Sequence, residues 1–212
     1  MIEARRPRLT QAEKDTLKGG GTPANWKPAR RAQIDRDGRW TLKRGKKREA
    51  PPSESHQRQA EIAVPMFGYK NHIGVDREYG FLRRYTVTHA ARYDGSQLGA
   101  VLDRDNTASD VWADTAYRSV ANLALLERRG LKPQFQRKKP RGRRMPMHIA
   151  RGNATRARIR ARVEHVFAAQ KCRLGLIVRT VGMVRARAKI GMANLVYNFT
   201  RLAWLNGQTA PA

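Results

Sequence analysis

The 212-residue chain carries 44 lysine and arginine residues against 17 aspartate and glutamate residues, a formal net charge of +27. A positive field of this size attracts polyanions, so nucleic acid is the first partner to consider. The single cysteine, Cys172, excludes an intramolecular disulfide and a cysteine-based zinc site. No apolar run approaches the roughly 20 residues of a membrane span, and the first residues lack a signal peptide's apolar core, which favours a cytoplasmic protein with no membrane partner.

Residues 1–60 are polar and rich in glycine, proline and basic side chains, and few of them are suited to a hydrophobic core. Thr10 and Glu13 have capping-box spacing, which predicts a short helix over residues 10–18. Residues 40–42 predict a brief strand, and the remainder is typical of loop. We expect a basic, loosely ordered amino-terminal arm or insertion over residues 1–60.

A folded domain is expected over residues 61–206, followed by a tail over residues 207–212. Its first feature is a pair of apolar segments, 67–75 and 81–88, on either side of a turn-like stretch at 76–80. This pattern predicts a β-hairpin.

Helical and strand patterns then alternate along the chain, which predicts an α/β fold with a sheet covered by helices and a parallel strand pair. The predicted elements are a helix over 94–102, a strand over 111–113, a helix over 119–129 and a strand over 131–136.

The carboxyl-terminal third begins with a proline- and glycine-interrupted basic stretch, residues 137–152, which predicts a mobile loop. A helical pattern covers residues 153–174, and a second covers residues 187–205. The second helix is predicted to present one broad apolar face, formed by Ile190, Leu195, Val196, Phe199 and Leu202.

Few acids occur in this basic chain, so acids in special positions are informative. Asp114 follows the predicted strand Val111–Ala113, where open α/β sheets present functional side chains. Aspartate also simply ends strands and begins turns, so the position alone leaves both interpretations open.

Glu164 lies in a predicted helix between Arg160 and Lys171. At about 100° per residue, both cations fall within roughly 40° of Glu164 around a regular helix. Either this face is functional, or it is a solvated surface with an ordinary arginine–glutamate pair.

The spacing Arg160, Glu164, Lys171 resembles the signature of DDE-type insertion-sequence transposases, in the insertion-sequence-five group of that superfamily. The likeness covers essentially the whole chain. Its other parts are the hairpin segment Phe67–His72 with Asp76 and Gly80, the second-aspartate motif Asp114–Arg118, and the closing helix segment Ala193–Asn198.

This resemblance implies a ribonuclease-H-like core, a mixed sheet with flanking helices, in which three acids bind two Mg²⁺ or Mn²⁺ ions for DNA cleavage and strand transfer. Asp114 and Glu164 are the implied catalytic and metal-binding acids. Arg160 and Lys171 are implied to contact the DNA backbone. The implied setting is the bacterial cytoplasm, associated with the nucleoid, with a homodimer on paired transposon ends and target DNA.

The resemblance places the family's first aspartate just upstream of the segment Ile2–Ala4, outside this sequence. Asp35, Asp37 and Asp76 are the nearest substitutes, but the first two lie in the basic arm and the third in a turn. We therefore expect an amino-terminally truncated chain that is inactive alone. The alternative is a non-catalytic basic DNA-binding protein derived from a decayed element.

The basic loop is the remaining candidate for DNA contact. It is expected to bind phosphates, although charge runs are often only solvated. Its cationic residues are Arg137, Lys138, Lys139, Arg141, Arg143 and Arg144.

Overall fold

The computed structural model describes residues 2–45, 62–106 and 109–209. The described residues form a mixed α/β structure in two compact units. The first unit comprises Met1–Lys70, His89–Ala91 and Ile177–Arg187, and the second comprises Asn71–Thr88, Arg92–Leu176 and Ala188–Ala212. These units do not follow the predicted division at residue 60, which stays a prediction.

The first unit contains more regular structure than its composition indicates. Thr10 and Glu13 form the predicted capping box, which fixes the start of the first helix. The elements are β1 (Ile2–Glu3), α1 (Gln11–Lys18), α2 (Pro28–Gln33), β2 (Arg39–Gly45) and β3 (Ile62–Val75), of which the last continues into the second unit.

The expectation that residues 1–60 form a loosely ordered arm is wrong for residues 2–45. Ile2, Ala4 and Trp26 are buried, and β1 and β2 both pair antiparallel with β3. The strand predicted at 40–42 is part of a seven-residue strand whose partner residues in β3 lie 17 to 29 positions further along the chain. Residues 46–60 of the predicted arm lie outside the described residues.

The predicted hairpin is confirmed in the second unit. Strand β4 (Leu82–His89) pairs with β3, and the backbone N–H of Asp76 donates to the Phe81 carbonyl at 2.8 Å. The remaining elements are α3 (Leu98–Val101), β5 (Asp110–Ala113), α4 (Val120–Arg128), β6 (Lys132–Phe135), α5 (Met147–Ala168) and α6 (Met183–Thr209).

The predicted parallel pair is also confirmed, because β5 and β6 pair parallel from Asp110–Lys132 to Ala113–Phe135. This pair forms a sheet of its own in the described residues, separate from the strands β1 to β4. Its core consists of Leu98, Leu102, Leu126 and Phe135. The ribonuclease-H-like assignment stays a prediction.

Both long helices differ from their predicted bounds. Helix α5 begins at Met147, so the last six residues of the predicted loop 137–152 belong to the helix. It is followed by a π-helical segment, Ala169–Arg173, where a regular helix was predicted. Helix α6 begins four residues earlier than predicted and includes Gly207–Thr209 of the predicted tail.

The predicted apolar face of α6 is wrong. Ile190 is fully buried, whereas Leu195, Val196, Phe199 and Leu202 are exposed. The helix therefore carries apolar side chains on two different faces.

Candidate active site and nucleic-acid interface

Asp114 lies at the carboxyl end of β5, as predicted. It is half-buried and caps a short 3-10 turn, Thr115–Tyr117, by accepting a 2.7 Å hydrogen bond from the Ala116 N–H to Oδ1. This bond fixes the carboxylate and engages one of its two oxygens. Partial burial, then the negative charge of Asp94 and then that of Asp114 raise the pKa of the half-buried Tyr117 phenol above its ordinary value.

Neighbouring residues hold the Asp114 loop in place. The Asn122 side chain donates to two backbone carbonyls, those of Gly95 at 2.7 Å and Tyr117 at 2.8 Å. The Tyr93 hydroxyl donates to the Ala116 carbonyl at 2.7 Å. A side chain at Gly95 would collide with the same carbonyl, so glycine is required for this close approach. The loop is thus positioned by contacts from outside its own motif.

Glu164 is the sole acid among the 22 residues of α5, which also carries five arginines. Its side chain is 57% exposed and accepts a 2.9 Å hydrogen bond from Arg160, so the predicted four-residue ion pair is present. Helix α5 contacts β5, the strand that ends at Asp114. The two candidate acids therefore lie on adjacent elements.

The arginine row of α5 has unused donors. Arg156 and Arg160 are one turn apart on the face of Glu164, and the Nε group of each is buried with no hydrogen-bond partner among the described residues. Sequence reasoning identified Arg160 but missed Arg156, whose four-residue spacing from Arg160 was the available signal.

Lys171 follows Glu164 beyond the end of the regular helix, within which it was predicted to lie. It lies in the π-helical segment Ala169–Arg173, where the wider turn changes the angular position of each side chain. The segment is held by Gln170, which is buried with Asn71 and Asn194 and donates to the Asn194 side chain at 2.6 Å. Asn71 donates to the same oxygen at 2.7 Å. Lys171 itself is exposed.

The basic run 137–144 is exposed throughout, and its start is anchored. The Asn153 side chain accepts from the Arg137 N–H at 3.0 Å and donates to the Arg137 carbonyl at 2.9 Å. Arg137 and Lys138 line an open depression of about 380 Å³ together with Thr115 and Arg118. Sequence reasoning missed Arg118, although it closes the Asp114 motif. The depression joins the Asp114 loop to the basic run.

The three substitute acids all hold backbone groups in place by accepting hydrogen bonds. The Asp35 carboxylate is buried and accepts hydrogen bonds from the Tyr69 hydroxyl and from the backbone N–H groups of Asp37 and Gly38. Asp37 accepts from the Met183 N–H at 2.7 Å. Asp76 accepts from three consecutive backbone N–H groups in the hairpin turn, at 3.0, 2.7 and 2.9 Å.

The carboxylates of Asp114 and Glu164 are hard oxygen donors, the ligand type that Mg²⁺ and Mn²⁺ prefer. Across residues 2–45, 62–106 and 109–209, however, no three histidine, cysteine, aspartate or glutamate side chains are grouped so that they could hold a metal ion. The acids in the described part of the chain thus do not form a complete metal site.

The family model of the transposase DDE domain matches residues 26–199. The chain belongs to this family. Asp114, Glu164, Lys171 and the basic run all lie within the matched part of this transposase domain. No solved structure gives a match.

Membership of the transposase DDE domain family implies a DNA substrate and confirms the family-level resemblance found in the sequence. The finer assignment to the insertion-sequence-five group stays a prediction. No helix in the portion of the chain that the structure describes is both long and apolar enough to cross a membrane.

Proposed function

We propose that this chain is the DNA-binding and metal-binding part of an insertion-sequence transposase, a DNA strand transferase in which Asp114 and Glu164 bind Mg²⁺ or Mn²⁺. One observation carries the proposal. The strand that ends at Asp114 contacts the arginine-rich helix whose sole acid is Glu164, within the matched transposase domain.

The cations around these acids have the chemistry to bind DNA phosphates. Arginine offers a planar pair of donors to phosphate oxygens, and Arg156 and Arg160 lie one turn apart on the face of α5 that carries Glu164. Arg118, Arg137 and Lys138 line the depression next to the Asp114 loop. We assign these five cations, with Lys171 and the rest of the basic run, to backbone contacts rather than base recognition.

The metal site requires a third carboxylate that Asp35, Asp37 and Asp76 do not provide. Each of the three accepts hydrogen bonds that hold a loop, a helix start or a turn. Withdrawing the buried Asp35 carboxylate would leave the Gly38 N–H and the Tyr69 hydroxyl unpaired, at a cost of about 1–3 kcal/mol per buried group. We propose that the chain of this sequence binds DNA but does not cut or join it.

Cleavage by the pure chain tests this proposal. A supercoiled plasmid incubated with the protein and Mn²⁺ is expected to remain intact while the protein binds it in a gel-shift assay. Metal-dependent nicking that disappears in the Asp114→Ala variant would show that the described acids suffice. Asp110→Ala, at the other end of the same strand, is the matched control for folding.

The alternative is a non-catalytic DNA-binding protein derived from a decayed element. Its basis is that the acids in the described residues do not form a metal site by themselves. It predicts that Mn²⁺ has no effect on DNA binding. The strand transferase proposal predicts a Mn²⁺ effect that depends on Asp114 and Glu164 once a third acid is present.

A further inference from the structure

The hairpin turn between β3 and β4, residues 76–80, is bonded to the helix of Glu164. The Nη1 group of Arg162 donates hydrogen bonds to the Arg77 carbonyl and, at 3.0 Å, to the Glu78 carbonyl. Arg162 precedes Glu164 by two residues, so at about 100° per residue the two side chains point about 160° apart around α5. The turn therefore holds α5 from the side opposite Glu164 and leaves that acid exposed.

The same turn is in contact with the strand of Asp114. The Arg77 guanidinium lies 5.6 Å from the centre of the Trp112 ring, a cation–π arrangement. Trp112 is two residues before Asp114, and side chains at that spacing in extended backbone share one face. Arg77 thus contacts α5 through its backbone carbonyl and β5 through its side chain.

The turn is itself held on both its donor and its acceptor side. The Asp76 carboxylate accepts hydrogen bonds from three consecutive backbone N–H groups of the turn. The Tyr79 carbonyl accepts a 2.6 Å hydrogen bond from the Arg201 guanidinium on α6. Gly80 has a φ of +77°, and a Cβ at this position would lie 3.3 Å from the Arg201 Nε, so glycine is favoured here. The turn is therefore a fixed point against which α5 is placed.

Apolar packing alone constrains α5 weakly. Val166 is the one buried side chain among the 22 residues of this helix, all of which belong to the described part of the chain. A surface helix is ordinarily placed by a broad apolar face that packs against the core. The position of α5 consequently depends on its polar contacts, and those of Arg162 lie two residues from the candidate acid.

We propose that the hairpin turn is a positioning element of the candidate active site. Arg162 and Arg77 together fix the helix of Glu164 relative to the strand that ends at Asp114. The inference rests on the proposed function in one respect, that these two acids act at one site. It also gives Asp76 a role, because the Asp76 carboxylate holds the turn in the shape that presents its carbonyls to α5.

The test measures the spacing of the two elements in the full chain. Nitroxide labels are attached at the exposed positions Val120→Cys, six residues after the strand-end acid, and Ala161→Cys on α5, in a Cys172→Ser background. Their distance distribution is measured by electron paramagnetic resonance. Arg162→Ala is expected to shift or broaden this distribution, because α5 loses its bonds to the turn. Arg158→Ala, at an exposed residue one turn earlier on α5, is the matched control and is expected to leave the distribution unchanged.

A conservative variant and a double variant separate positioning from general stability. Arg162→Lys is expected to restore the wild-type distribution, because one Nζ can replace the single nitrogen that makes both bonds. Arg77→Ala removes the side chain from Trp112 and is expected to broaden the distribution as well. Since both alanine substitutions cut the same link, their combination is expected to broaden it no further than Arg162→Ala alone.

Four results would each overturn the proposal. They are an unchanged distribution in Arg162→Ala, an equal change in Arg158→Ala, no restoration by Arg162→Lys, and additive changes in the double variant. The distances are measured without metal, so they test the turn separately from the proposed function. Mn²⁺ binding that does not depend on Asp114 and Glu164 would instead count against the proposed function, and the distances would stay as they are.

Discussion

Single side chains hold the Asp114 loop, and Asn122 is the clearest case. It is 8% exposed, and its amide bonds two backbone carbonyls from different segments. Asn122→Ala is expected to lower the free energy of unfolding by about 1–3 kcal/mol, because both carbonyls lose their donor in a buried setting. Urea denaturation measures the change. Val120→Ala, in the same helical turn but exposed, is the control, and an equal loss in both variants would contradict the assignment.

Tyr69 makes stability depend on alkaline pH. Burial and the hydrogen bond to the Asp35 carboxylate raise the pKa of Tyr69 above its ordinary value of 10.0. Above about pH 10 the unfolded chain releases this proton while the folded chain retains it. The stabilising contribution is therefore complete below pH 10 and is lost as the pH rises beyond it.

The Tyr69→Phe variant tests this dependence. Above pH 10, its unfolding free energy is expected to fall less steeply than that of the wild type, by up to about 1.4 kcal/mol per pH unit. Denaturation at a series of pH values measures the slope. Tyr85→Phe, at a 44% exposed residue, serves as the control. An unchanged slope in Tyr69→Phe would show that the phenol titrates alike in both states.

The sequence predicts some of these residues better than others, and the reason is the range of their contacts. Asp114 at a strand end and the Arg160–Glu164 pair depend on local periodicity, and both are confirmed. The position of Lys171 depends on Gln170, which bonds Asn194 in another helix. A contact between distant segments cannot be seen in a local sequence pattern. The prediction of a regular helix over residues 169–173 was therefore wrong.

Among the elements, the basic run between β6 and α5 gives the most direct prediction for DNA binding. Three charges are removed by changing Arg141, Arg143 and Arg144 to glutamine. Affinity is expected to fall for all DNA sequences, because phosphate contacts carry no sequence information. The slope of log K against log salt is expected to become shallower by about 2–3, because each lost phosphate contact releases about one counterion fewer.

Fluorescence anisotropy over a salt series measures both quantities. The control removes the same number of charges from the exposed side chains of Arg128, Arg129 and Lys132, away from the run. If both triple variants lose affinity and slope equally, net charge alone explains the result and the run has no special role.

At the level of elements, the hairpin, the parallel pair β5–β6 and helix α4 follow from the sequence because their apolar periodicity and turns are local. Strand β2 and the ordered structure of residues 2–45 could not be predicted in this way. Strand β2 is held by backbone hydrogen bonds to β3, which lies at a distance along the sequence. Helical periodicity at about 100° per residue already places Leu195, Val196, Phe199 and Leu202 more than 100° from Ile190, so grouping them on one face was a wrong interpretation of the pattern and not a limit of the sequence.

For the whole molecule, family membership and charge lead to one account. The chain belongs to the transposase DDE domain family, and its net charge of +27 is suited to a DNA substrate. Its described acids nevertheless form no complete metal site. The central claim is that Asp114 and Glu164 are two carboxylates of a metal site that a third acid completes.

Mn²⁺ binding measured by calorimetry tests this claim most directly. The chain is compared with the same chain preceded by a short extended segment that carries an aspartate just before Ile2. We predict that Mn²⁺ binds the extended protein at least about tenfold more tightly, and that Asp114→Ala or Glu164→Ala abolishes the gain. Equal Mn²⁺ affinity with and without the added aspartate, or a gain that survives both substitutions, would contradict the account.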